Sequence, residues 1–244
     1  MSSGSAELRL AALQRGMAQS DEPLNAPHSS AGLYRGVMRD RDVRSALHRD
    51  LLVQHESELP STLFVDELGL CGEVRVDVAV VNASLSGFEL KSASDTLRRF
   101  PAQVRVYSQV LDHSTLVVAE NHLDAALKIL PPWWGCMVVR WDGVDAHIDE
   151  LRPSDFNPAI DSYALSQLLW RDEAVAALET LDAMKGMRSK PRRQLWQRLS
   201  EVAELDLLRE IVRNSLKSRV RWRDETMSAR FGQELAVDGA MSRS

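Results

Sequence analysis

The sequence is poor in cysteine, with only Cys71 and Cys136 in 244 residues, far apart. No C-x-x-C pair or Cys/His spacing occurs, which argues against a structural zinc site. Two buried thiols in a reducing cytoplasm are the simplest account. No apolar run approaches the length of a membrane span. The start of the chain lacks a basic stretch followed by an apolar core, so no signal peptide is expected. These absences predict a soluble, cytoplasmic protein. Excess positive charge is absent as well. The net charge is −5, which averaged over the chain argues against a nucleic-acid partner. Charged residues make up an ordinary 27%, so a solvated surface is expected.

An apolar share of 44%, six tryptophans and eight methionines supply material for a sizeable core. The length suits one large domain or two small ones. Residues 1–38 are rich in Ser, Ala, Gly and Pro and read as a flexible leader. From Arg39, Val43, Leu47, Leu51 and Leu52 recur at helical spacing, with Asp40 or Asp42 as a cap. A connection follows, with a short strand at Leu63–Val65 and a Gly-rich corner at Gly69–Gly72.

The central stretch is VRVDVAVVNASLSGFELK, residues 74–91. A β-branched run, a polar turn (NASLSG) and a second apolar run predict a hairpin. Side chains alternate along a strand, so Glu89 and Lys91 share one face while Phe88 and Leu90 take the other. Asp77 is an acid within an apolar strand, which is costly without a partner. Across the hairpin it can lie beside Glu89, where a divalent cation would relieve the repulsion. The competing reading is an exposed hairpin with ordinary salt bridges.

After the hairpin, Ser94 or Asp95 is a candidate helix cap, and Pro101 suits the first turn of a second helix. Val104, Tyr107, Val110 and Leu111 give that helix an apolar face. STLVVAE and CMVVRW read as buried strands, separated by a helix from Asn121 that Pro131-Pro132 stops. Asp142-Gly143 is a turn, and VDAHIDEL an edge strand. The expected fold is a mixed α/β domain over 39–152. A linker (PSDFNP), a separate basic helical domain at 159–224 and a flexible tail at 225–244 complete the expectation. The helical region carries two long stripes, over Tyr163–Met184 and Arg192–Lys217.

Charge is unevenly distributed. Between Lys185 and Arg223, twelve Lys and Arg stand against four acids, a net +8, which leaves −13 for the rest. Clustering of this kind marks a polyanion partner. Its sub-clusters are Arg188, Lys190, Arg192 and Arg193, then Lys217, Arg219, Arg221 and Arg223 with Trp222 interleaved. The competing reading is a solvated helix face paired with the acidic half of the same chain.

The element order, Asp77 and Glu89-x-Lys91 together resemble the PD-(D/E)XK nuclease superfamily, the restriction-endonuclease-like fold. Gln103-V-R-V-Tyr107 resembles the Q-x-x-x-Y motif of its RecB-type branch. FELKSASDTLRRFPAQVRVY, the W-W-G at 133–135 and the LLWRDEA at 168–174 resemble an uncharacterised bacterial subfamily. Two features depart from the pattern. The strand acid follows R-V rather than proline, and the upstream helix glutamate has no clear equivalent. Glu56, Glu58 and Glu67 are candidates for it, with Glu67 preferred.

The resemblance implies a Mg²⁺- or Mn²⁺-dependent nuclease acting on nucleic acid, with DNA as the expected polymer. Asp77, Glu89 and the Leu90 carbonyl would hold the ion, with Glu67 as a further candidate ligand. Lys91 would orient water and stabilise the transition state. Gln103 and Tyr107 would position Lys91 or the nucleic acid, although Tyr107 also reads as a core aromatic. The basic helices would grip the phosphate backbone without reading sequence. A homodimer or a larger defence-type complex is compatible with this reading. Asp95 reads as a cap rather than a ligand, and His55 and His113 as structural rather than general bases. Trp133-Trp134 reads as packing. The alternative is a catalytically silent nuclease-like fold that binds nucleic acid or supports assembly.

Overall fold

The computed structural model describes residues 38–142 and 145–219. The leader up to residue 37, Gly143 of the expected turn, Arg221, Trp222, Arg223 and the tail lie outside the described residues. Met38, the last residue assigned to the leader, is buried in the fold.

The elements begin with helix α1 (Asp40–Gln54) and strands β1 (Leu63–Leu70), β2 (Val74–Val81) and β3 (Leu85–Lys91). Helix α2 (Phe100–Val110), β4 (His113–Ala119), the short α3 (Leu123–Leu127), β5 (Gly135–Trp141) and β6 (Ala146–Arg152) follow. The chain then runs through α4 (Ser162–Ser166), α5 (Arg171–Thr180), α6 (Arg192–Val202) and α7 (Leu205–Ser218).

The six strands lie in sequence order in one mixed sheet. β1, β2 and β3 form an antiparallel meander, β3, β4 and β5 run parallel, and β6 returns antiparallel. The parallel steps need crossovers, which α2 and α3 supply. β3 and β4 are buried nearly along their whole length because both their faces are covered. One face packs against α1, through Val43, Leu47, Leu51, Phe64, Val78, Phe88 and Leu90. The other packs against α2 and α7, and the remaining C-terminal helices extend the same core. The protein is therefore mixed α/β, a sheet flanked by helices with a helical C-terminal region.

The structure corrects several expectations. β1 is a full strand of eight residues, not a three-residue run. Asp66 and Glu67 interrupt its apolar pattern and hide it. The corner that joins it to β2 is a tight turn, with Cys71 at φ 54° and Gly72 at φ 69°. Asp95 caps no helix. Its carboxylate accepts from the Ser92 N–H (2.7 Å) and hydroxyl (2.6 Å), closing a local turn. Helix proper starts only at α2, with Pro101 in its first turn. The two long helical stripes are each broken, at 167–170 and at 203–204. Asp161 caps α4 by accepting from the Ala164 N–H at 2.6 Å.

The C-terminal helices do not form a separate core. Leu165, Leu178, Leu195, Leu208, Val212 and Leu216 share one cluster with Val76, Leu85 and Leu116 of the sheet and Tyr107 of α2. The expected linker is pinned down. Asn157 is 2% exposed, and its side-chain amide donates to the carbonyls of Ser108 (2.9 Å) and Leu111 (2.8 Å). Gly135 ends the W-W-G stretch where strands crowd. A Cβ there would lie 2.7 Å from Thr115 Oγ1 and 3.0 Å from the Ser154 nitrogen.

Candidate active site

The β2–β3 ladder runs from Val81↔Leu85 to Val78↔Phe88. One step further the strands part, and the Asp77 side chain replaces the next ladder bond. Its Oδ2 accepts from the Leu90 N–H at 2.8 Å. A strand residue presents its N–H and C=O to the same neighbour, so the Leu90 carbonyl lies on that edge too. Phe88 and Leu90 enter the α1-side core. Glu89 and Lys91 take the opposite face, as strand alternation requires.

Glu89 and Lys91 are 1% and 6% exposed. Burying two charges costs several kcal/mol each unless every polar atom is engaged. Here they are engaged. Lys91 Nζ donates to Glu89 Oε1 in a short contact and to Gln103 Oε1 at 3.2 Å. The Tyr107 hydroxyl makes a short bond to Glu89 Oε2 and lies 2.9 Å from the Arg75 carbonyl. Gln103 and Tyr107 stand one turn apart on α2, so both side chains reach the same strand. Burial and the Glu89 charge hold the Tyr107 hydroxyl well above its usual range, which keeps it a donor. Beneath it the buried Trp134 stacks on the Tyr107 ring at 5.5 Å and 18°. The second tryptophan of the W-W-G stretch is thus packing.

Asp77 is pushed up to about 7, first by burial and then by the charge of Glu89; the Leu90 N–H, Arg44 and Lys91 pull it partly back. A carboxyl raised in the folded state adds stability below its unfolded value, and that stability is lost as pH rises through the folded value. Asp77→Asn, which keeps an acceptor for the Leu90 N–H, escapes this loss. We expect it to match wild type near pH 4 and to exceed it by on the order of 2 kcal/mol above pH 7. Urea unfolding of both proteins across that range checks the sign; equal stability at every pH would contradict it.

The chemistry of these donors fits Mg²⁺ or Mn²⁺. Both ions favour hard oxygen ligands, and Mg²⁺ is commonly held by one or two carboxylates while keeping several waters. Lys91 and Tyr107 leave lone pairs free on Glu89. Among the described residues no cluster of three or more His, Cys, Asp or Glu stands ready for a metal. An ion there would rest on two carboxylates, Asp77 and Glu89, with backbone and water oxygens completing its shell.

Sequence reading missed Arg44 of α1. Its Nη1 donates to the Asp77 carbonyl at 2.6 Å. Its guanidinium also meets Glu67 at 3.0 Å, Asp40 and Asp66 at 3.6 Å, and Asp77 Oδ1 at 3.7 Å. The available signal was its place beside the apolar stripe of α1, with Asp40 and His48 one turn either way. Glu67 lies opposite Asp77 at φ 57°, a left-handed conformation uncommon for a residue with a side chain. Arg44 and Arg75 hold its carboxylate. A cleft of about 460 Å³ opens beside them, lined by Glu67, Arg75, Asp77, Arg99 and Gln103 among others.

The remaining candidates are placed elsewhere. Glu56 and Glu58 lie exposed on a 3₁₀ turn. His55 packs edge-on against Phe64 at 6.1 Å, and His113 against Phe156 at 5.5 Å. Two of the expected phosphate-binding cations are engaged within the fold. Arg219 is 6% exposed, donates to Glu173 (2.7 and 2.8 Å) and the Leu168 carbonyl (2.6 Å), and covers the Trp170 ring at 4.2 Å. Lys217 donates to the Asn82 carbonyl at 2.7 Å. Arg188, Lys190, Arg192 and Arg193 are exposed around the start of α6. Of these, Arg188 pairs with Glu179 at 2.8 Å, and Arg192 stacks on Trp196 at 4.6 Å.

Burial raises both thiols, Cys71 and Cys136, to about 11, so neither favours the reactive thiolate. No helix among the described residues is long and apolar enough to cross a membrane.

No curated protein matches the chain. A solved structure of a protein of unknown function from Silicibacter pomeroyi resembles it with a TM-score of 0.37. The two are 19% identical, over 63% of this chain and 96% of that one. Residues 38–236 match the family model described as Bacteriophage P4 protein cII. That match takes in the whole described fold, and the chain belongs to the bacteriophage P4 protein cII family.

Proposed function

We propose that this protein is a metal-dependent phosphodiester hydrolase of PD-(D/E)XK type, acting on nucleic acid with DNA as the expected substrate. One observation carries the reading. Gln103, Lys91, Glu89 and Tyr107 form a continuous hydrogen-bonded chain, with Asp77 at the adjoining strand edge. These are the five side chains that the sequence resemblance assigns to catalysis. Asp77, Glu89 and the Leu90 carbonyl would hold Mg²⁺ or Mn²⁺. When bound, the ion supplies an acidified water and offsets charge on the scissile phosphate.

Lys91 supplies a fixed positive charge for the transition state and orients the attacking water. Gln103 fixes the ammonium, and Tyr107 fixes Glu89. The cleft beside Asp77 carries Arg75 and Arg99, which suit an approaching phosphate. Arg188, Lys190, Arg192 and Arg193 offer a non-specific grip on the backbone.

The test is cleavage of linear and circular DNA, single-stranded DNA and RNA, with Mg²⁺, Mn²⁺ or EDTA. Wild type should cut at least one substrate in a metal-dependent way, and Glu89→Gln, which keeps the size of the side chain, should not. Activity that survives EDTA or Glu89→Gln would overturn the assignment.

A second reading has a specific observation behind it. The Arg44 guanidinium lies 3.7 Å from Asp77 Oδ1, on the carboxylate expected to meet the metal. A catalytically silent module of this fold would bind nucleic acid in a salt-dependent way without cutting it.

A further inference from the structure

We infer that Arg44 is a resident cation of the Asp77 site, and that its fixed positive charge sets how tightly the site takes a divalent ion. The inference rests on the metal-dependent reading above and names a control of that same site.

The geometry distinguishes this role from a simple salt bridge. Arg44 is anchored by partners other than the Asp77 carboxylate, the Asp77 carbonyl at 2.6 Å and Glu67 of the neighbouring strand at 3.0 Å. Its side chain is 19% exposed, so it has little room to swing away. With Asp77 Oδ2 committed to the Leu90 N–H, Oδ1 is the oxygen turned toward the guanidinium, at 3.7 Å. That spacing exceeds a hydrogen bond, so Arg44 acts on Oδ1 through its field rather than by filling its lone pairs. An incoming dication would therefore find the ligand open but meet a like charge close by.

Asp40 and Asp66 at 3.6 Å and Glu67 at 3.0 Å also surround Arg44, so removing this cation leaves an acidic cluster more negative toward a dication. Asp66 pairs with His48 at 3.0 Å, and Glu67 shares Arg75 at 3.1 Å. Arg44 thus ties α1 to Glu67 of β1 and to Asp77 of β2 and weakens metal binding at Asp77. Glu67, in its left-handed conformation, is the residue that lets β1 offer Arg44 this anchor.

Mn²⁺ binding by calorimetry tests it, using wild type, Arg44→Gln, Arg44→Lys and Asp77→Asn. Arg44→Gln removes the charge and retains a donor for the Asp77 carbonyl. Arg44→Met serves if the glutamine variant does not fold. The charge-free variant should bind Mn²⁺ on the order of tenfold more tightly than wild type. Arg44→Lys should stay within about threefold of wild type. Asp77→Asn should abolish binding. Equal or weaker binding by a folded charge-free variant, beside Asp77-dependent binding by wild type, overturns the role of Arg44 and leaves the metal-dependent reading standing. Binding by the charge-free variant alone upholds Arg44 and turns wild type into the silent module. No binding by any folded protein overturns both.

Discussion

Lys91→Ala is expected to destabilise the fold by about 3–5 kcal/mol. Lys91 is 6% exposed and is the cation bonded to Glu89, itself 1% exposed. Removing the ammonium leaves a buried carboxylate held by Tyr107 alone, with Asp77 close by. The same argument makes the paired replacement mild. Lys91→Met with Glu89→Gln removes both charges, keeps similar volumes and leaves Tyr107 an oxygen to donate to. Buried ion pairs exchanged for neutral groups of similar size are often neutral or stabilising, so the double variant should lie within about 1 kcal/mol of wild type. The coupling between the two sites is then large and favourable. Urea unfolding of the single and double variants measures it. A Lys91→Ala protein within about 0.5 kcal/mol of wild type would show that Glu89 is not charged in the fold, or that water reaches it. Neither variant should cleave nucleic acid. The double variant carries the functional information, because its loss of activity cannot be blamed on unfolding.

Arg219→Ala should unfold the helical layer rather than loosen a grip on nucleic acid. The guanidinium bridges Glu173 and the Leu168 carbonyl, at the break between α4 and α5, to the end of α7. Glu173 also accepts from the Trp170 N–H at 2.7 Å and so sets the start of α5. Truncation strands a mostly buried carboxylate and a buried carbonyl, a loss of about 3–5 kcal/mol. Arg219→Lys should recover only part of it, since an ammonium does not reproduce the two-pronged contact or the stacking on Trp170. By contrast, Arg192→Ala with Arg193→Ala should leave stability within about 0.5 kcal/mol, because both side chains are exposed. That pair should instead reduce the salt dependence of nucleic-acid binding. Thermal unfolding beside a binding titration at several salt concentrations separates the two cases. An Arg219→Ala protein that melts like wild type but binds more weakly would return Arg219 to the binding surface.

What could be read from the sequence was what depends on local periodicity. Strand alternation alone puts Glu89 and Lys91 on one face and Phe88 and Leu90 on the other. Helical spacing alone puts Gln103 and Tyr107 on one side of α2. The apolar stripe of α1 marks the face it buries. What could not be read depends on contacts between distant segments. Arg44 reaches Asp77 across 33 residues of sequence, and nothing in the spacing of α1 announces that reach. Arg219 and Lys217 belong to a run of positive charge, which reads as a solvated face until a carboxylate from α5 and a carbonyl from the hairpin turn arrive. The helix breaks near 168 and 203 escape because leucine spacing continues through them, all of it facing one shared core. The separate helical domain was a composition argument, and composition does not reveal that α7 packs on the sheet layer.

The most direct test of the account is a crystal grown with Mn²⁺ and examined by anomalous diffraction. A single strong peak bonded to Asp77, Glu89 and the Leu90 carbonyl is expected, with Lys91 still held by Gln103. No peak there at saturating Mn²⁺, with Glu89 still engaged by both Lys91 and Tyr107, would contradict it.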